Sequence, residues 1–262
     1  MRVIIILLLL SFISSPALAS TVMMGDMTWQ EIAAAIRDGY TTVIVPTGGT
    51  EQNGPHIVLG KHNFILEKTA PAIAEKLGHT LVAPIMAYVP EGNIDPPSGH
   101  MKFPGTLSLR SETFAAVLED TVRSLKAHGF KIICFVGEHG ASQAVQAQVA
   151  RKLSEEWKDE GVRVIHVSDY YDENNGQVAW MQKENPKEIN VEAHGGLADT
   201  SEMLAAHPEG VREKLRGNYT INDFNKVGAD GSSINANSDY GKKFLALKIG
   251  AAVQQIEKER GK

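Results

Sequence analysis

The chain has 262 residues, 43% of them hydrophobic, which suits one large α/β domain or two small ones with a substantial core. Its formal net charge is −5, and no basic run could track a phosphate backbone, which argues against a nucleic-acid partner. The lone cysteine, Cys134, excludes an intramolecular disulfide, so stability must come from packing.

Arg2, the apolar run at 3–10 and the small residues Ala17-Leu18-Ala19 read as a secretory signal over residues 1–19, leaving one domain over 20–262. The run is too short to span a bilayer, so no stable span is expected after processing. The expected location is periplasmic or extracellular, with a retained N-terminal anchor as the alternative.

Thr28 and Glu31 form a capping-box pattern ahead of a helix over 30–37 that ends at Gly39. Val43-Ile44-Val45 is a β-branched strand expected to break at Pro46. It empties into a loop holding Glu51, Asn53, His56 and His62. A helix follows over 64–77, and then a strand over 80–87. Residues 88–109 are irregular and hold four prolines and His100; the part over 88–97 is expected on the surface, as a substrate rim. Ser111 is expected to cap the next helix, whose apolar stripe is Phe114, Val117, Leu118, Val122 and Leu125. The strand over 131–136 contains Cys134, read as a small buried residue rather than a nucleophile. It ends in Gly137-Glu138-His139-Gly140. A helix over 142–157, a strand over 162–167, a short helix over 178–183 and a closing helix over 240–259 complete the pattern. This alternation predicts an α/β fold, a three-layer αβα arrangement on a mostly parallel sheet.

In such a sheet, the loops after the strands share one edge. Glu51 and His62 follow the first strand, His139 follows the third, and His194 lies beyond the fourth. Carboxylate and imidazole donors suit a divalent zinc, manganese or iron ion. Asp199-Thr200-Ser201 also reads as a helix N-cap. Glu138 is either a substitute carboxylate or a solvated loop charge. His56 and Asp230 order the loops or rim the pocket. No G-x-G-x-x-G or Walker-type sequence follows a strand, which weakens a nucleotide-binding reading.

The run T-G-G-T-E-Q-N-G-P-H-I-V-L-G, ending at Gly60, resembles the first signature of the creatininase (creatinine amidohydrolase) family. S-G-H-M-K-F-P-G-T-L-S-L around His100, G-E-H-G-A-S around His139 and H-G-G-L-A-D-T-S from His194 resemble three later ones. The resemblance implies a metal-dependent amidohydrolase of small or cyclic amides on an α/β fold, in a family that commonly forms homo-oligomers. Glu51 and His139 match family metal ligands. Asn53 stands where the family has a ligand His, and His62 where it has an Asp that bridges two metals. The expectation is therefore one divalent ion per chain held by Glu51, His62 and His139, with water completing the shell. His194 would pass a proton to the leaving nitrogen, and Asp199 would orient or deprotonate the water. A metal-activated water would then hydrolyse a non-peptide C–N bond. The rival reading is a pseudoenzyme or small-molecule-binding protein on the same fold.

Overall fold

The strands form because their residues are apolar on both faces and find helices on both sides. The computed structural model describes residues 21–188 and 190–261; the signal reading over 1–19 lies outside them. In chain order the longer elements are α1 (Trp29–Arg37), β1 (Thr42–Thr47), α2 (Lys61–Leu77), β2 (Thr80–Val82), α3 (Ser111–Ala127), β3 (Ile132–Gly137), α4 (Gln143–Glu156), β4 (Arg163–His166), α5 (Gln177–Glu184), α6 (Leu197–Ala206), α7 (Phe224–Val227) and α8 (Ser238–Arg260). The sheet runs β2-β1-β3-β4, and every described pairing is parallel, with Thr42 opposite Thr80 and Ile132.

Side chains alternate across the sheet and build two cores. Val43, Val45, Ile133 and Phe135 pack with Phe114, Leu118, Val149 and Leu153, under α3 and α4. Ile44, Cys134, Val136 and Ile165 pack with Leu66, Ile73, Ala252 and Ile256, under α2 and α8. The α/β three-layer expectation holds. Cys134 is fully buried, and burial pushes its thiol up, away from the reactive thiolate. No described helix is long and apolar enough to cross a membrane.

Several boundaries differ for identifiable reasons. β1 runs through Pro46 to Thr47. The carbonyls of Ile44 and Pro46 face the β2 side, accepting from Ala83 and Met86 at 2.8 and 3.0 Å. β2 has ended by then, so the missing Pro46 N–H costs no ladder bond. β2 itself stops at Val82, two residues before Pro84, and only an isolated bridge from Thr47 to Met86 continues it. The capping box at Thr28 and Glu31 is present. At α3 the cap position is Arg110, with Ser111 the first helical residue, and Val117 is 41% exposed rather than part of the buried stripe. Helix α2 begins at Lys61, three residues before the expected start, which places His62 in its first turn.

Candidate metal centre

Glu51 hangs from the C-terminal end of β1 and is 1% exposed. The Asn63 side chain latches its loop, accepting from the Gly49 N–H at 3.3 Å and donating to the Gly49 carbonyl at 2.9 Å. Gly49 has to be glycine here: a Cβ would lie 2.7 Å from Glu91 Oε1 and 3.2 Å from His62 Cδ2. Asn53 is buried behind the loop, its amide donating to the Glu51 carbonyl at 3.2 Å.

Four histidines surround the Glu51 carboxylate. Its Oε1 lies 2.8 Å from His62 Nε2 and 4.0 Å from His194 Nδ1. Its Oε2 lies 3.1 Å from both His139 Nε2 and His100 Nδ1. His139 leaves β3 on a clamped turn, its carbonyl accepting from the Ser142 hydroxyl at 2.8 Å and the Gln143 amide at 3.0 Å. Glu91 completes the group from the irregular segment, with Oε2 2.7 Å from His139 Nε2. One donor atom from each of Glu51, Glu91, His100 and His139 falls within 4.8 Å of the others. His62 is outside that group and grips the far oxygen of Glu51.

Glu91 is the residue that sequence reasoning placed elsewhere. The expected surface rim is divided: Val89 and Glu91 are buried, whereas Ile94 is 52% exposed. Nothing periodic marks Glu91. The only hint is a carboxylate beside proline in a long loop that also carries His100.

Burial disfavours a charged His139, but its hydrogen bond to Glu51 and the Glu91 carboxylate beside it outweigh that and lift its pKa to about 9. Burial, with Glu51 nearby, raises Glu91 to about 7. Burial opposes ionised Glu51 too, yet hydrogen bonds from His139 and His62 hold it well below the carboxylate range. Burial, aided by the Lys61 charge, lowers His62 to about 3; burial, aided by His194 and His139, lowers His100 to about 4 against the Glu51 charge. Both Glu91 oxygens lack a hydrogen-bond partner among the described residues, because the close His139 nitrogen is not aligned to donate. Two buried carboxylates this near each other, one of them unsatisfied, call for a cation. The donor set of two carboxylates and two imidazoles fits a divalent zinc, manganese or iron ion.

His194 Nε2 meets the Gln52 carbonyl at 2.8 Å, so that nitrogen must carry the proton and Nδ1 is left as acceptor. The backbone N–H of His194 donates to Asp230 Oδ1 at 2.7 Å, which gives Asp230 its ordering role. His56 orders a loop, with Nε2 2.8 Å from Thr200 Oγ1. Asp199 is not the helix cap: α6 starts at Leu197 with Gly196 at the cap. From the first turn, Asp199 Oδ2 accepts from the Gly195 N–H at 2.8 Å, and Oδ1 pairs with Lys61 Nζ at 2.7 Å. Burial opposes its charge, but Lys61 outweighs it and lowers the pKa to about 2. Glu138 is not a solvated charge. It is 3% exposed, ion-paired with Lys248 of α8, and accepts from the Tyr170 hydroxyl. Lys248 also reaches Glu202 Oε2 at 3.3 Å.

These groups line a cavity of about 350 Å³, among them Glu51, His100, His139, His194, Asp199 and Lys248. A family model described as "Creatininase: Creatinine amidohydrolase" matches residues 25–256. The chain belongs to the creatininase family. The creatinine amidohydrolase of Pseudomonas putida is 26% identical over 196 residues, 73% of this chain and 74% of that one. A mycofactocin precursor peptide peptidase of Mycolicibacterium smegmatis is 29% identical over 174 residues, 64% of this chain and 59% of that relative's length. The fold is that of the crystal structure of creatinine amidohydrolase, at TM-score 0.78 and 23% identity over 92% of this chain and 98% of that one. The creatininase family is thus a hydrolase family, and structures of similar fold include manganese and zinc–zinc forms of creatininase.

Proposed function

We propose that this protein is a metal-dependent amidohydrolase that cleaves the C–N bond of a small, non-peptide amide with water. The observation that carries this reading is the pair of buried carboxylates, Glu51 and Glu91, meeting His100 and His139 at the wall of a cavity. Amide cleavage is also what the names of the two relatives share. A divalent ion held by Glu51, Glu91, His100 and His139 would supply Lewis acidity, polarising a carbonyl and making water acidic. His62 holds Glu51 in place from its far oxygen. His194, with Nε2–H fixed on the Gln52 carbonyl, presents Nδ1 to take a proton from water and return it to the leaving nitrogen. Asp199, locked between Lys61 and the Gly195 N–H, keeps that wall of the cavity ordered rather than acting as a base.

A non-catalytic binding protein is the second reading, favoured by Asn53 and His62 standing where the family has ligands. Elemental analysis of the purified protein, with a release assay on ring and linear amides, separates the two. The amidohydrolase reading expects about one ion per chain and measurable turnover. One bound ion with no turnover of any amide would favour the binding protein. Export is part of the proposal, and N-terminal sequencing of the exported protein should begin near Ser20.

A further inference from the structure

The cavity at the metal group is not the whole of the site. Beyond His194 lies a second, more open groove of about 740 Å³. His194 and Glu192 line both spaces. Glu51, His100 and His139 line the cavity, and none of them lines the groove. A carbonyl polarised at the metal group would therefore sit on the cavity side of His194. The leaving nitrogen, protonated from His194 Nδ1, which lies 4.0 Å from Glu51 Oε1, would sit in the cavity beside His194, with the groove open to the substituent it carries.

The groove wall is built into the fold. Asn218 and Ser232 pair in an antiparallel bridge, Tyr219 N donates to the Gly231 carbonyl at 3.3 Å, and Asp230 N donates to the His194 carbonyl at 3.0 Å. Asp230 thus ties the His194 backbone to one edge of the groove, and the Asn218–Ser232 bridge shapes the space past it. A ring amide fills the cavity alone, since its two halves stay joined after cleavage. Such a substrate has no use for a groove about twice the cavity's size.

We propose that the groove past His194 is a leaving-group subsite, and that the substrate is a linear amide whose amine-derived half extends into it. This rests on the amidohydrolase reading. In the step, water oxygen bonds to the acyl carbon, and the C–N bond breaks with its electron pair staying on nitrogen. The proton taken from water by His194 passes to that nitrogen, giving a carboxylate and an amine. The amine is released as a cation at neutral pH. Glu188, Glu192 and Asp230 line the groove, with no Lys or Arg among the described lining residues, so an ammonium is tolerated there and an anionic arm is repelled.

The test uses the metal-loaded protein and two substrate series: ring amides, and N-acetyl amides of primary amines and diamines of increasing length. Binding of the free diamines is measured separately by calorimetry. Ser232→Trp and the more exposed Thr220→Trp each block the groove, with melting temperature as the folding check. Lengthening the amine half should raise kcat/KM by about tenfold or more. Both blocked variants should lose that gain and the diamine binding, while the turnover of acetamide stays as in the parent. A preference for ring amides with no gain from length would overturn the subsite, as would an undiminished gain in both blocked variants. If no amide is turned over, the hydrolase reading falls. The groove is then judged by the diamines alone: equal binding to parent and blocked proteins would end it too.

Discussion

At the scale of single residues, the site depends on charges that burial would forbid unless paired. Glu91→Gln keeps the size of the side chain and removes the charge that a cation would need. Metal affinity should fall by about 100-fold or more, judged against the 10–100-fold typical of residues that only support ligands. Competition with a chelator measures it, and unchanged affinity would remove Glu91 from the ligand set. His62→Ala should cost less, because His62 touches Glu51 on the oxygen away from the group. Asp199 gives a pH test. Its folded pKa of about 2 lies below its ordinary 3.8, so its contribution is present above pH 3.8 and lost as pH falls through 2. That is worth about 2 kcal/mol. Asp199→Asn should be less stable than the parent at pH 6, and the gap should close towards pH 2 in urea titrations. A constant gap would mean the Lys61 pairing is not its cause. Glu51 and His139 were legible because strand ends announce them, and His194 because it opens the H-G-G-L-A-D-T-S run. Glu91 and Glu138 were not, since their partners come from remote segments, Lys248 being 110 residues from Glu138.

Among the elements, hydrophobic periodicity placed the four strands and the main helices. It misjudged ends where hydrogen bonding decides. Pro46 could stay in β1 because β2 has ended beside it and no ladder bond needs its N–H, and α2 gained a turn that carries Lys61 and His62 into the interior. That extra turn explains why His62 grips Glu51 from behind. The irregular segment is buried at Val89 and Glu91 and exposed at Ile94, in a turn closed between Asn93 and Ser98, which makes a prediction for it. Replacing residues 93–97 by a short glycine linker should alter amide preference and leave the metal content and melting temperature nearly unchanged. Extending the deletion through Glu91 should abolish metal binding. If the shorter deletion also removes the ion, the exposed end is needed to hold Glu91. Gly49→Ala tests the same junction from β1: its Cβ would strike Glu91, so metal binding should drop in a protein that still folds.

Across the whole molecule, a buried network ties the sheet to the two helices that close the cavity. Glu138 comes from the loop after β3, Glu202 from α6 and Lys248 from α8, and each is at most 4% exposed. Tyr170 adds its hydroxyl to Glu138, and Thr69 of α2 lies 2.8 Å from that hydroxyl. Hydrophobic patterning could not reveal this, because Lys248 looks like a solvated residue on the long C-terminal helix. Burying three charges costs desolvation energy that their attraction largely offsets, so the intact network adds little net stability. Breaking it is different. Lys248→Met would leave two carboxylates facing each other in the interior, at a cost of about 3–5 kcal/mol. For a domain of this size that is a fall of about 10 °C in melting temperature. Adding Glu138→Gln and Glu202→Gln removes the stranded charges, and the triple variant should regain most of the loss. If Lys248→Met alone melts like the parent, the network is not what joins α6 and α8 to the sheet. If the triple variant stays as unstable as the single one, the loss comes from packing of the lysine stem rather than from charge.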